Sequence, residues 1–514
     1  MRRISVIPFG LLAGLLAWLP AWGQLPSKEV LDRRARELGT DSRSSQQAHE
    51  LLRGGTVGDF SFPTVVFGLE KAQRDRIRKQ VGLGEFRSPE ERAILEALEP
   101  PAFCSSGAGG PRLSRQEARQ CELIGQQRES LESYLDEGKR TFVSHIAFWP
   151  GREETEPIFL HNVYVDCRQG TLPTSRGSTP EFSCEETVYD NSWRALEKLQ
   201  SFLSQLVDQQ EFTHILLISK GWNTQQGKSV EAYRELPQLI GLEASKENRR
   251  FHPLVVGITW HSGWVWGVSE IPILKVVPNV ASYGNKAKDA DEIGVTWANA
   301  LLNRVLLTVA GRKDLPVMAI GHSFGARILS RASASAGLLG TSSAGAKPAA
   351  GAGTESEIRV SLLVSLQGAF SMNRFLPERC SGTEGAPYGD LVDKVDRVVL
   401  VWSENDRTNP LAQMVSQANH VGGSPGHRRA RSYAHRFRFR RWRPGWAEAA
   451  GAEISRSGAS WSGAKRQGKQ CASFDPPAKP VEVVDATSIV KNHGDVVDGE
   501  MAALLWALIR EGRS

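Results

Sequence analysis

The spacing of hydrophobic positions changes along this chain. From about residue 141 onward, short apolar runs alternate with longer stretches of helical period, as strands and helices taken in turn would. Thr141–Phe148 and Pro157–Val165 read as early strands. His214–Ser219 (HILLIS) and Pro253–Trp260 (PLVVGITW) are apolar with little interruption, which suits strands buried on both faces. Pro316–Ile320, Arg359–Leu366, Val398–Trp402 and Val481–Val484 continue the series. Between these runs, Trp193, Leu196, Leu199, Leu203, Leu206 and Val207 share one face of a helix. Ile293, Trp297, Leu301, Val305 and Val309 recur at every fourth position, and Gly311 ends that helix. A last helix runs from Val496 to about Ile509, with Met501, Leu504, Leu505 and Leu508 apolar. The alternation predicts an α/β fold: a mostly parallel sheet flanked by helices.

The first 140 residues follow other rules. Arg2 and Arg3 precede an apolar stretch, Ile4–Leu19, and Ala21-Trp22-Gly23 offers small residues at a cleavage site. Residues 1–23 are therefore expected to be a signal peptide and the protein to be exported, periplasmic or extracellular. Residues 24–140 are polar with helix-start signals at Ser88-Pro89-Glu90-Glu91 and at Ser114 with Glu117. They are expected to form an N-terminal helical accessory region without chemistry of its own. The remainder, 141–514, carries an Ala/Gly/Ser-rich loop at 337–357 and a long insertion at about 410–480 before the last helix. No stretch after the leader is expected to cross a bilayer.

Composition narrows the class. With 40% hydrophobic and 23% charged residues, the chain is neither disordered nor fibrous. A net charge of +6 over 514 residues does not by itself indicate nucleic acid. Six cysteines, an even number, suit disulfides in an oxidising compartment. Neighbour pairing (Cys104–Cys121, Cys167–Cys184, Cys380–Cys471) is the simplest of the available connectivities. No C-x-x-C or Cys/His cluster points to a metal.

The chemistry centres on Leu315–Ala334, LPVMAIGHSFGARILSRASA. An apolar strand runs into Gly321-His322-Ser323-Phe324-Gly325, and a helix follows. Strand, G-x-S-x-G and helix together form a nucleophile elbow, in which the serine occupies a strained turn with its hydroxyl exposed. The Phe324 amide lies at the helix N-terminus, where it can stabilise an oxyanion. Gly422-Gly423-Ser424-Pro425-Gly426 matches the same pattern but lacks a preceding strand, so Ser424 is expected in a loop. A serine nucleophile needs a base, and the base needs an orienting acid. Downstream, the strand VVLVW leads into Ser403-Glu404-Asn405-Asp406, which makes Asp406 the candidate acid and Glu404 its nearest rival. His493, in Asn492-His493-Gly494-Asp495 before the final helix, is the candidate base, with His420, His427 and His435 as rivals. HILLIS leads into Lys220-Gly221-Trp222-Asn223, so Trp222 is the candidate second oxyanion donor beside Phe324.

Taken together, ILLISKGWN, VVGITWHSG, AIGHSFGAR, VWSEND and KNHGDV resemble blocks of the α/β-hydrolase superfamily, most closely its bacterial esterase/lipase-like branch, over about residues 140–510. The resemblance implies an α/β-hydrolase fold and hydrolysis of carboxylic esters through a serine acyl-enzyme without a cofactor. It assigns Ser323 as nucleophile, Asp406 as acid, His493 as base, and Trp222 and Phe324 as oxyanion donors. Lys220 stands where the family usually has His, and His261 stands where a W-P-S block has Pro. Trp264, Trp266 and His322 are candidates for the pocket around a small-molecule or lipid ester. An acyltransferase on the same triad, and a non-catalytic envelope-binding protein with this fold, are the alternatives.

The insertion changes the picture of partners. His427–Arg443 holds eight arginines, and no acidic residue occurs from Arg407 to Ala447. Arg436-Phe437-Arg438-Phe439-Arg440 alternates, so a strand there would put Phe on one face and Arg on the other. The stretch is expected either to contact an anionic envelope component or to be a solvated, locally paired surface. No nucleic-acid partner is expected.

Overall fold

The computed structural model describes residues 60–73, 139–151, 157–163, 184–221, 226–260, 262, 276–336, 359–376, 387–406, 408–409, 419–431, 436–443 and 479–511. Its centre is a ten-stranded sheet in the order β3-β2-β1-β5-β4-β6-β7-β8-β10-β9. The strands are β1 (Thr64–Gln73), β2 (Lys139–Trp149), β3 (Ile158–Asn162), β4 (His214–Ser219), β5 (Pro253–Trp260), β6 (Val317–His322), β7 (Val360–Leu366), β8 (Val398–Trp402), β9 (Phe437–Arg441) and β10 (Val481–Asp485). Every described pairing is parallel except those of β2, which runs against both β1 and β3. β4, β5, β6 and β8 are buried at every position, as their unbroken apolar sequences require in a sheet covered on both faces.

Alternate residues of each strand feed two apolar layers. Ile215, Leu217, Val317 and Ala319 join the layer under α1 (Cys184–Gln209), α3 (Val276–Val295) and α6 (Phe324–Ala334). Leu216, Ile218, Met318 and Ile320 join the layer under α2 (Gln226–Lys246) and α9 (Gly499–Glu511). The fold is thus α/β, a mostly parallel mixed sheet flanked by helices.

The helix expected around Ile293–Val309 is segmented. α3 ends before Thr296, and α4 (Trp297–Asn299), a π-helical stretch (Ala300–Leu306) and α5 (Leu307–Gly311) follow. Four-residue spacing overruns a 3.6-residue turn by about 40° at each step. The wider π turn takes up part of that drift, so all five apolar positions stay buried. By length and composition Lys286–Gly311 could cross a membrane, contrary to expectation, but it packs as a core helix with 72% of its most apolar window buried.

Two further expectations are corrected. Thr64–Gln73 lies within the segment expected to be helical, yet it forms β1 and pairs with β2 over ten residues. Its Thr64-Val65-Val66-Phe67 run, directly after Pro63, is a strand signal overshadowed by the polar residues around it. Ser424 opens a helix, α8 (Ser424–Arg431), rather than a loop. Pro425 causes this, because its fixed φ and missing N–H are compatible with a helix's first turn. Among the described residues the region also holds a 3-10 turn (Met372–Phe375) and α7 (Leu391–Lys394). The expected signal peptide, the 337–357 loop and five of the six cysteines lie outside the described residues. Cys184 opens α1, but its expected partner Cys167 is outside them too.

The elbow helix is pinned by charge. Asp291 of α3 accepts paired hydrogen bonds from Arg327 of α6 (3.0 and 2.5 Å) and from Arg374 (2.9 and 2.8 Å). Burial alone would raise the Asp291 pKa, but the two guanidiniums outweigh it and hold the carboxyl well below its usual range. Asp291→Asn leaves two buried guanidiniums without their carboxylate, and chemical denaturation should show a loss of about 3–5 kcal/mol at neutral pH. A depressed carboxyl stabilises above its unfolded pKa and stops doing so as pH falls. The wild type's advantage over Asp291→Asn should therefore shrink below about pH 4.

Candidate active site

β6 delivers Ser323 at its C-terminal end, and α6 starts at the next residue. The serine sits at φ 57°, ψ −120°, a backbone conformation that costs about 1–3 kcal/mol for a residue with a β-carbon. Neighbouring bonds hold it there: its N–H donates to the Leu366 carbonyl (3.0 Å), and its own carbonyl accepts from Ala326 (3.2 Å) and Ala369 (3.1 Å). A β-carbon at Gly321 would lie 2.3 Å from the Ala326 Cα, and one at Gly325 would lie 2.1 Å from the Ser219 carbonyl oxygen. Strand and helix therefore cross at backbone contact, and only glycine fits at both positions.

The three sequence-predicted residues come together. Ser323 Oγ and His493 Nε2 are 2.9 Å apart, and His493 Nδ1 and Asp406 Oδ2 are 2.9 Å apart. With a carboxylate on one side, Nδ1 carries the proton, which leaves Nε2 to accept from the serine hydroxyl. Asp406 is fully buried at its side chain, while His493 retains 17% exposure. Asp406 also accepts from the Thr408 and Asn409 amides at Oδ1 (3.0 and 3.1 Å) and from Asn409 Nδ2 at Oδ2 (2.7 Å). It is both the turn-capping aspartate its sequence suggests and the partner of the histidine, with one oxygen for each task.

The rivals are elsewhere. Glu404 is exposed. His420 Nδ1 meets Asn409 Oδ1 (3.1 Å), and His427 stacks on Trp402 with centroids 3.8 Å apart. His435, Trp222, His261, Trp264 and Trp266 lie outside the described residues. Asn409 escaped the sequence reading because it stands in a turn next to Pro410, like many asparagines without such a role. It ties the acid to β7 through a bond to the Gln367 carbonyl (3.1 Å).

His322, expected near a substrate pocket, lies on the inner side of the site. Its ring is buried below the His493 loop, and Nε2 donates to the His493 carbonyl at 2.7 Å. Strand alternation explains this, since His322 follows Met318 and Ile320 into the layer under α2 and α9. Burial first, then Lys220 and His493, lower its pKa well below the ordinary value, so the ring stays neutral. Lys220, Leu236, Leu366 and Val496 line the small cavity beside it. The loop carrying the base is braced further: Ser403 Oγ donates to the Val490 carbonyl (3.1 Å), and Asn492 pairs with Asp495.

Behind the serine passes the chain leaving β4. A β-carbon on Gly221 would fall 2.4 Å from Ser323 Cβ and 2.9 Å from its Oγ. Phe324, the other expected oxyanion residue, opens α6 with its side chain buried. No family model, no curated protein and no solved structure matches this chain.

Two variants probe this arrangement. Gly221→Ala should displace the serine and slow its reaction with a fluorophosphonate at least about 100-fold, with circular dichroism unchanged. Lys220 is pushed down to about 8 by burial alone, so its ammonium destabilises the fold at neutral pH. Lys220→Met should stabilise the protein by on the order of 3 kcal/mol at pH 7. For a lysine with a lowered pKa, the unfolded chain holds the extra proton between about 8 and 10.5. Wild-type stability should rise across that window, closing the gap to the variant when both are unfolded by denaturant.

Proposed function

We propose that this protein is an exported serine hydrolase of the α/β-hydrolase type that cleaves carboxylic esters through an acyl-enzyme on Ser323. The observation that carries the reading is the unbroken chain Ser323–His493–Asp406, with both links at 2.9 Å. Chain order supports it: the serine follows β6, the acid follows β8, and the base follows β10, the order Ser, acid, His of that fold. The strand order β5-β4-β6-β7-β8-β10 is consistent with it, and so is the strained turn at the serine.

In this mechanism His493 Nε2 takes the Ser323 proton as Oγ bonds to the ester carbonyl carbon. The carbonyl π electrons move to oxygen, and the resulting oxyanion is bound by the amides of Phe324 and Trp222. The Phe324 amide sits at the positive end of α6. Trp222 is assigned the second amide because its neighbour Gly221 abuts the serine. His493 then passes its proton to the leaving alkoxide as the ester C–O bond breaks. Water, deprotonated by the same imidazole, then adds to the acyl carbon; as the bond from that carbon to Oγ breaks, His493 returns the proton to Ser323 Oγ and the acid is released. Asp406 holds the tautomer and stabilises the imidazolium throughout.

A tagged fluorophosphonate should label the wild type and Ser424→Ala equally and leave Ser323→Ala unlabelled. Asp406→Asn should lower short-chain ester turnover by about 10⁴-fold. A folded wild type that takes no label would overturn the reading.

A further inference from the structure

We infer that the arginine-rich face at the β9 end of the sheet docks onto an anionic lipid surface, so that the esters presented to Ser323 are those carried in such a surface. The substrate half of this rests on the hydrolase reading above; the docking half does not.

Charge is divided unevenly along the chain. Residues 407–480 hold fourteen Lys and Arg against three Asp and Glu, whereas the whole chain holds 63 against 57. The rest of the protein is therefore net acidic, with 49 basic residues against 54 acidic ones. Eight of those fourteen lie between His427 and Arg443, and all eight are among the described residues.

The fold gives that face a position. β9 ends the sheet, paired in parallel with β10. Its Arg440 turns inward to Glu482 and Glu511, which anchors the strand. Arg441 and Arg443 are exposed and share the strand parity of Phe439, the ring that α8 packs against, and Arg428 and Arg431 on α8 are exposed too; Arg438, also exposed, has the parity of Arg440. Arg441, 72% exposed, pairs with Asp485 at 3.2 Å. Arg431 is held outward by His427 Nε2 (3.1 Å) and by the Phe439 ring (5.7 Å). Guanidiniums braced on aromatic rings are suited to the headgroup level of a bilayer, where the charge meets phosphate and the ring meets the acyl boundary.

The same geometry links the face to the serine. One register row crosses five strands, from His322 through Leu366, Val401 and Val484 to Arg440. Because these strands are parallel, Arg441 and Arg443 stand at the same sheet edge as Ser323, about 19 Å away at four strand spacings. His427 of α8 stacks on Trp402, the residue before the acid loop, so the basic face adjoins the catalytic edge. A lipid surface is favoured over nucleic acid because it would supply both the anions for this face and the esters for the serine.

The test uses the full chain as Ser323→Ala, so that binding is read without turnover. Flotation with phosphatidylcholine vesicles is compared with flotation on vesicles also containing phosphatidylglycerol. We expect binding only to the anionic vesicles, weakened by salt. It should fall about 30-fold in the pair Arg431→Gln/Arg443→Gln and stay unchanged in the control pair Arg194→Gln/Arg249→Gln. In the Ser323 background, the first pair should label normally with fluorophosphonate and lose activity only on vesicle-borne esters. Absence of vesicle binding, binding indifferent to phosphatidylglycerol or to the arginine pair, or tighter arginine-dependent binding of a DNA oligonucleotide would each overturn the inference. Arginine-dependent vesicle binding by a protein that takes no fluorophosphonate would support the docking face while overturning the hydrolase reading.

Discussion

Three backbones converge on Ser323, and the rest of the site depends on that crowding. β6 enters it, α6 leaves it, and the chain from β4 passes behind it with no room for a side chain at Gly221, Gly321 or Gly325. A turn at φ 57° persists in a serine only when its surroundings leave no alternative. Here those surroundings are three hydrogen bonds to its backbone, the parallel pairing of β4, β6 and β7, and the ion pairs from Asp291 that tie α6 to α3. Relaxing any of them would let the hydroxyl move, and a displacement of about 1 Å is enough to lose much of an oriented reaction.

The proposed base, His493, is held from two sides at once. Asp406 fixes the imidazole at Nδ1, and His322 holds the backbone of the same residue through its carbonyl. The first contact sets tautomer and ring orientation; the second sets the height of the loop above β6. Both braces begin at strand ends, β8 for the acid and β6 for His322, so the loop inherits its position from the sheet. Side chains on rigid elements hold catalytic geometry more closely than side chains on loops, and this loop approximates that condition by being bonded to its neighbours at Ser403, Gln367 and Asp495.

A half-buried lysine at the end of β4 is the least expected component. Its charge is disfavoured by burial, yet the chain keeps it beside a neutral histidine and a cavity. That is a stability cost located next to the proposed chemistry, where local rules are most often broken. Among the described arginines of the insertion, Arg440 pairs with Glu482 and Glu511 and Arg441 with Asp485, Arg436 is buried, and Arg428, Arg431, Arg438, Arg441 and Arg443 are exposed.

Much of this protein was legible from local pattern. β4, β5 and β8 have the bounds their apolar runs predict, because a strand buried on both faces must be apolar throughout. Ser323, Asp406 and His493 were also legible, since each stands at a strand-to-helix or strand-to-loop junction whose chemistry is written in adjacent residues. Tertiary structure decided the rest. β1 is a strand because β2 and β5 offer it two edges, which its short apolar run does not announce. His322 turned inward because strand alternation sent it to the α9 layer, and Asn409 gained a role because folding brought Gln367 and His420 to it. The sequence determined which residues could do the chemistry; only the sheet, by pairing strands distant in the chain, determined which of them meet.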